Sequence, residues 1–302
     1  MRRIIHPVTD THNQIRRPHQ INHLSFSSSK TKNPQQKQKF STAIAMDLLY
    51  HSSEFLLPSF SEGMKTDYAL VILNQPLPKF TPVLWDHAKI VLCADGGANR
   101  LFDEMPQLFP QQDSAFVRSK YKPDVVKGDM DSIRTEVKEF YANLGARIVD
   151  ESEDQDTTDL HKCVSFVLQD AIVGKSDDLC ILVAGALGGR FDHEMGNINV
   201  LCMFSNIRIV LLSDDCLIQL LPMTHRHEIC ILSSVEGPHC GLFPIGTASA
   251  IATTTGLKWD LNDTEMKFGG LISTSNIVSE EKITVQSDSH LLWTIEIRKP
   301  AT

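Results

Sequence analysis

Four short segments of this 302-residue chain carry residue types suited to phosphate chemistry. They read Ala94-Asp95-Gly96-Gly97-Ala98-Asn99-Arg100, Gly128-Asp129-Met130-Asp131-Ser132, Asp154-Gln155-Asp156-Thr157-Thr158-Asp159 and Gly185-Ala186-Leu187-Gly188-Gly189-Arg190-Phe191-Asp192-His193. Each follows, or closely follows, an apolar run that reads as a buried strand. Carboxylates gathered at strand ends beside glycine-rich turns bind hard cations and the phosphates those cations carry. The pattern points to a nucleotide-dependent transferase working through Mg²⁺.

Each segment also has a plainer reading. Asp129 and Asp131 can share one ion, directly or through water, since Mg²⁺ favours one or two carboxylates plus substrate phosphates. Alternatively they mark a solvated turn in which Asp131 or Ser132 caps the next helix. Phe140 stands at the twelfth position from Asp129, which excludes an EF-hand loop. Asp154, Asp156 and Asp159 suit the positive end of a helix, with Thr157 as cap. With Glu151 and Glu153 added, however, they exceed what capping requires and repel one another unless a cation or basic ligand neutralises them. In the fourth segment, Gly188 and Gly189 let backbone N–H groups approach phosphate oxygens at a helix start, and Arg190 can span two such oxygens. A tight strand-to-helix turn would need the same glycines. Gly174-Lys175-Ser176 is no Walker loop, because Gln169 stands where the first glycine belongs, and Asn197 denies His193-Glu194 a second zinc-binding histidine. Asp95 either touches a ligand or only fixes its turn.

The elements that must position these residues alternate. Strands are expected at 68–73, 89–94, 124–127, 147–149, 179–184 and 208–212. Helices are expected at 82–88, 98–104, 134–143 and 158–171, and along Phe191, Met195, Ile198 and Cys202; residues 110–120 read as a polar surface excursion. Leu160, Cys163, Val164, Val167, Leu168 and Ala171 recur on one helical face. This is an α/β pattern with a parallel sheet. After Asp214-Asp215 the texture changes to β-rich runs at 217–221, 228–233, 248–255, 267–272, 282–286 and 291–297. The expected division is a leader at 1–45, an α/β domain at 46–216 and an all-β sandwich at 217–302. In that last part Trp259, in Thr-Gly-Leu-Lys-Trp, reads first as a plug for the sandwich core. Its alternative role is an aromatic platform for a flat or cationic ring.

Composition narrows the class. Hydrophobic content of 42% and charge content of 22% are those of an ordinary globular protein, and no apolar stretch approaches the ~20 residues of a membrane span. The seven cysteines are scattered without Cys-x-x-Cys, as in a reducing compartment. Residues 1–45 hold eight Lys/Arg and one acid, which leaves 21 basic against 36 acidic residues beyond them. So acidic a body argues against nucleic acid as partner. The leader has the composition of a transit peptide, of low-complexity disorder or of a gene-model extension before a start at Met46. A cytosolic location is expected, with organellar import through 1–45 the alternative.

Together the four segments, with Thr255-Gly256-Leu257-Lys258-Trp259 and Ser273-Thr274-Ser275-Asn276, resemble the thiamine pyrophosphokinase family from about Tyr68 to Ile297, and its plant members most. The resemblance implies an α/β catalytic domain, a C-terminal β-sandwich and a homodimer with thiamine sites between subunits. It implies attack of the thiamine hydroxyl on the β-phosphorus of ATP, with AMP released. By the same likeness Asp129, Asp131 and Asp159 hold Mg²⁺ with Asp156 nearby, while Arg190 and Asp192 complete the catalytic region, Asp192 as candidate base. Asp95, Gly128, Thr158, Gly188 and Gly189 belong with the nucleotide. Gln155 lies against substrate, and Trp259, Ser273, Ser275 and Asn276 form the thiamine pocket, overturning the core-plug reading. The rival readings are a metal-dependent nucleotide-sugar transferase and a thiamine or nucleotide sensor without turnover.

Overall fold

The uninterrupted apolar run Leu179–Ala184 becomes a strand with every residue buried, because apolar clusters cover both of its faces. In the computed structural model, residues 47–59, 66–170, 173–176 and 178–299 are described, all within one unit spanning Ala45–Thr302. The expectations for residues 1–45, for a start at Met46 and for Ala171 fall outside the described residues.

The chain runs β1 (Leu48–Ser52), β2 (Asp67–Ile72), α1 (Thr81–His87), β3 (Ala88–Ala94), α2 (Gly97–Glu104), α3 (Ser114–Lys120), β4 (Val125–Gly128), α4 (Thr135–Asn143) and β5 (Arg147–Asp150). It continues through α5 (Asp159–Gln169), β6 (Leu179–Ala184), α6 (Phe191–Met203), β7 (Arg208–Leu212), β8 (Cys216–Leu221), β9 (Arg226–Cys230) and β10 (Glu236–Pro244). It closes with β11 (Ala250–Thr255), β12 (Thr264–Met266), β13 (Ser273–Ile277), β14 (Lys282–Ser287) and β15 (Leu291–Ile297). Among the described residues, ten strands form one mixed sheet in the order β13-β10-β15-β8-β7-β6-β2-β3-β4-β5, and five form a second, β1-β9-β14-β11-β12.

From β7 to β5 all neighbours are parallel. Along β2, Leu70 and Ile72 join the cluster with Leu101, Val137 and Tyr141 of α2 and α4, while Ala69 and Val71 join Leu160, Val164 and Val167 of α5. This two-residue alternation is the strand period, and helices on both faces make every position apolar. At Ser213-Asp214-Asp215 the chain reverses, and β8 pairs antiparallel with β7, Leu212 opposite Leu217. The change of texture at 217 is therefore a change of strand direction within one sheet.

Several elements differ from expectation. The excursion at 110–120 contains α3, capped by Asp113, whose carboxylate accepts the Phe116 N–H at 2.9 Å. The run expected at 267–272 is a turn with Gly269 at φ 81°, and the strand begins instead at Ser273. Strand β10 has no clear sequence signature because Gly237, Pro238 and Gly241 interrupt its pattern, and its register with β15 shifts between Glu236 and Cys240. Trp293 fills the core at 1% exposure, whereas Trp259 is 55% exposed, which corrects the core-plug reading. Strand β1 is a further addition. It lies parallel to β9 and is tied down by Ser53, whose hydroxyl donates to Glu236 at 2.8 Å, and by Arg208, which donates to the Ser52 carbonyl at 2.6 Å.

Between β1 and β9 lies a buried histidine pair, with His51 Nε2 3.0 Å from His227 Nδ1 and His227 Nε2 2.8 Å from the Pro222 carbonyl. The carbonyl requires hydrogen on His227 Nε2, so His227 Nδ1 accepts from His51 Nε2–H. That leaves His51 Nδ1 as an acceptor, and no hydrogen-bond donor reaches it among the described residues.

Candidate active site

Strands β6, β2, β3 and β4 lie side by side and parallel, so the chain leaves all four at one edge of the sheet. Asn74 and Gln75 come after β2 there, Gly96 after β3, Asp129 after β4 and Gly185 after β6. With Thr158 and Asp159 at the start of α5, and Gly188, Arg190 and Asp192 around the start of α6, they line a crevice of about 550 Å³. Open α/β sheets bind ligands at this edge, where helix N-termini also gather.

Asp95, Asp129 and Asp159 each bring one carboxylate oxygen within 4.8 Å of the others. Gly128 makes the convergence possible: a Cβ there would stand 2.7 Å from Asp95 Cβ and 3.1 Å from Asp159 Oδ1. Asp95, 1% exposed and at φ 40°, accepts the Ser132 N–H at 2.9 Å and the Ile133 N–H at 3.0 Å, so it does fix the turn that presents Asp129. Burial pushes its carboxyl above the usual range, while the two N–H donors oppose the shift. Burial, then the charges of Asp129 and Asp95, push Asp159 up to about 6 against the lowering effect of Lys162. Three converging carboxylates, all-oxygen and mutually repelling, fit a hard divalent cation such as Mg²⁺.

Asp131 does not join them. It is exposed and accepts the Ser132 hydroxyl at 2.8 Å, because Met130, at φ 63° between the two aspartates, breaks the alternation that would keep them on one side. Asp154 folds its own loop, bonding the Thr157 hydroxyl and accepting the Asp156 N–H at 3.0 Å. Gln155 and Asp156 are exposed outside the crevice lining, and Gln155 Nε2 donates to the Ser152 carbonyl at 2.9 Å. The cap of α5 is Thr158 rather than Thr157; its hydroxyl accepts the His161 N–H at 3.3 Å.

In the glycine turn, Gly188 N–H donates to Glu194 at 2.8 Å, and a Cβ on Gly189 would lie 2.5 Å from the Gln75 side chain. Arg190 and Asp192, both exposed, form a two-pronged ion pair, with Nε 3.1 Å from Oδ1 and Nη2 against Oδ2. The guanidinium holds the Asp192 carboxyl below the usual range. Asn74, Gln75 and Arg100 carry no functional role in the sequence motifs, yet all three line the crevice, and Arg100 Nε donates to Asn74 Oδ1 at 3.2 Å. Asn74 and Gln75 directly follow β2, and Arg100 stands in the first turn of α2, which is the signal the sequence offers for them.

A second cluster forms on the antiparallel side. Asn276, 3% exposed, accepts the Trp259 N–H at 3.2 Å, and its Nδ2 donates to the Trp259 carbonyl at 2.9 Å and to Ser273 Oγ at 3.2 Å. The indole is left facing outward, with Lys258 Nζ 4.7 Å from its ring centroid. Ser275, at φ 54°, is exposed beside them. Trp259, Ser273, Ser275 and Asn276 are all absent from the crevice lining.

Residues 81–211 match the family described as "Thiamin pyrophosphokinase, catalytic domain", and residues 226–292 match "Thiamin pyrophosphokinase, vitamin B1 binding domain". Thiamine pyrophosphokinase 1 of Arabidopsis thaliana is 65% identical over 255 residues, covering 84% of this chain and 96% of the relative. Among solved structures, thiamin pyrophosphokinase from Candida albicans superposes with a TM-score of 0.68 at 26% identity, covering 82% of this chain and 93% of that one. The yeast enzyme gives 0.71 at 23% identity, covering 89% and 96%.

Proposed function

This chain belongs to the thiamine pyrophosphokinase family, and on that premise we propose that it transfers a diphosphoryl group from ATP to the thiamine hydroxyl, giving thiamine diphosphate and AMP. The observation that carries the reading is the convergence of Asp129 and Asp159, in a crevice that Gly188 also lines, with the buried carboxylate of Asp95.

In this reading Asp129 and Asp159 hold Mg²⁺, Asp95 backs them, and Asp131 completes the set when nucleotide is present. Bound there, Mg²⁺ would neutralise charge developing on the polyphosphate, the main source of acceleration in such transfers. Thr158, the glycine turn and Arg190 bind the nucleotide. Arg190 and Asp192 pair with each other in the unliganded protein, so a phosphate that captures Arg190 frees the Asp192 carboxylate to accept the hydroxyl proton. Asp156 and Gln155, on the loop that leads into α5, would act beside this end, Asp156 near the cation and Gln155 against substrate.

Trp259, framed by Ser273, Ser275 and Asn276, offers its exposed face to the cationic thiazolium ring. Because that group is absent from the crevice lining, we place it opposite the acid crevice of a second subunit in a homodimer. The seven free cysteines suit a reducing compartment, and we assign the enzyme to the cytosol. Among the described residues no helix is long and apolar enough to cross a membrane.

The test is AMP release from Mg²⁺ and ATP with and without thiamine. Thiamine-dependent AMP with matching thiamine diphosphate is expected; ADP, or AMP independent of thiamine, would refute the reading.

A further inference from the structure

Lys162 is out of place by composition. It stands on α5 among Leu160, Cys163 and Val164, and only 3% of its side chain is exposed. Lysine is rarely enclosed to this degree unless an opposite charge compensates its desolvation. Its ion pair runs to Asp159, Nζ to Oδ1 at 3.9 Å, longer than a hydrogen bond. The neighbouring buried lysine, Lys127, is engaged by Glu151. Both lysines line a second cavity of about 200 Å³ together with Glu151, Asp154 and Phe166, and Thr157 borders this cavity and the crevice alike. Lys162 does not line the crevice, but it presents its charge to Asp159, which does and which belongs to the three-carboxylate group.

We infer that Lys162 is a positioning residue, the internal counter-ion of the acid cluster: it balances part of the cluster's charge while no divalent cation is bound and competes with the cation for Asp159 once one arrives. The inference rests on the reading of Asp95, Asp129 and Asp159 as the metal site. Its consequence has an unusual sign. A lysine that merely shaped the site would loosen it when removed and weaken cation binding. An internal counter-ion, when removed, leaves three carboxylates with less to oppose them. The cation then binds more tightly, and the cation-free protein becomes less stable.

The experiment uses the full chain without nucleotide, with free Mn²⁺ followed by electron paramagnetic resonance and melting recorded in EDTA and in Mn²⁺. Lys162→Met should bind Mn²⁺ roughly tenfold more tightly than wild type. It should melt lower in EDTA and recover more on addition of Mn²⁺. Lys162→Arg, which keeps the charge, should stay within about threefold of wild type. Mn²⁺ binding by Lys162→Met that is equal to wild type or weaker would overturn the inference. If Lys162→Met does not fold, the double variant Asp159→Asn/Lys162→Met decides, since removing the carboxylate should restore folding if the lysine exists to balance it. Failure of the double variant would overturn the inference as well. Absence of Mn²⁺ binding in wild type, or undiminished binding in Asp159→Asn, would instead remove the metal site itself, and this inference with it.

Discussion

Asp95 holds Ile133 across the end of the sheet, its Oδ1 accepting the Ile133 N–H at 3.0 Å while its Oδ2 takes the Ser132 N–H at 2.9 Å. One buried carboxylate therefore sets the turn after β4 and also contributes to the acid cluster that this turn completes. Positioning and binding are combined in a single side chain.

Asp95→Asn should expose that double role. The amide keeps one acceptor and sets an NH₂ against a backbone N–H, leaving a buried donor unpaired at about 1–3 kcal/mol. Melting should fall by roughly 2–10 °C together with activity. An unchanged melting temperature would rule out the clamp.

Asp129→Asn and Asp159→Asn should each abolish Mn²⁺ binding in the absence of nucleotide and reduce turnover by about 100-fold or more, with circular dichroism unchanged. Asp131→Asn should weaken nucleotide-free Mn²⁺ binding less than either. Equal loss in all three would mean that Asp131 turns inward in solution.

Cation binding should be linked to pH through Asp159. Its carboxyl titrates near about 6 instead of the ordinary 3.8. A cation must displace that proton at lower pH, so affinity should fall below about pH 6 and level off above about pH 7. In the cation-free protein, a raised carboxyl contributes stability that is fully present below about pH 4 and lost as pH rises through about 6. Calorimetry in buffers of different ionisation enthalpy should show proton release at about pH 5.5 and almost none at about pH 8. Equal release at both would exclude Asp159 as the linked group.

The histidine pair acts in the opposite sense. Burial, with Arg208 next in effect, holds His51 well below the usual range, and burial brings His227 to about 4. Depressed bases contribute stability that is present above about pH 6.5 and lost as pH falls through about 4. The urea midpoint should drop along this acid limb, and His227→Gln should flatten the drop. An equally steep limb in that variant would place the acid sensitivity elsewhere.

Trp259→Ala should raise the KM for thiamine by roughly 5- to 150-fold, the equivalent of about 1–3 kcal/mol, at unchanged melting temperature. Asn276→Ala should raise KM and also lower the melting temperature, because it removes both bonds that frame Trp259. Normal thiamine affinity in Trp259→Ala would take the indole out of the pocket.

Strands β2, β3, β6 and β7 are legible as apolar runs because parallel strands covered on both faces admit little else. The crevice is legible in the acids and glycines just past each strand. Two features are hidden for local physical reasons. Spacing alone joins Asp129 to Asp131, and only the left-handed backbone at Met130 separates them and lets Asp95 take the third place. Lys162 is invisible because a lysine on a helix reads as solvated, and its burial depends on Asp159 one turn earlier. Strand β1 lacks any local signal, since its partner β9 lies far along the chain.

The hairpin from β7 to β8 carries one hydrogen-bonded sheet from the acid crevice to the strand bearing Trp293. The two family-defined halves should consequently melt as a single cooperative block, with one heat-absorption peak. In a genetic screen, inactivating changes should then scatter over both halves: a hole in the Trp293 core would silence phosphate chemistry that it never touches.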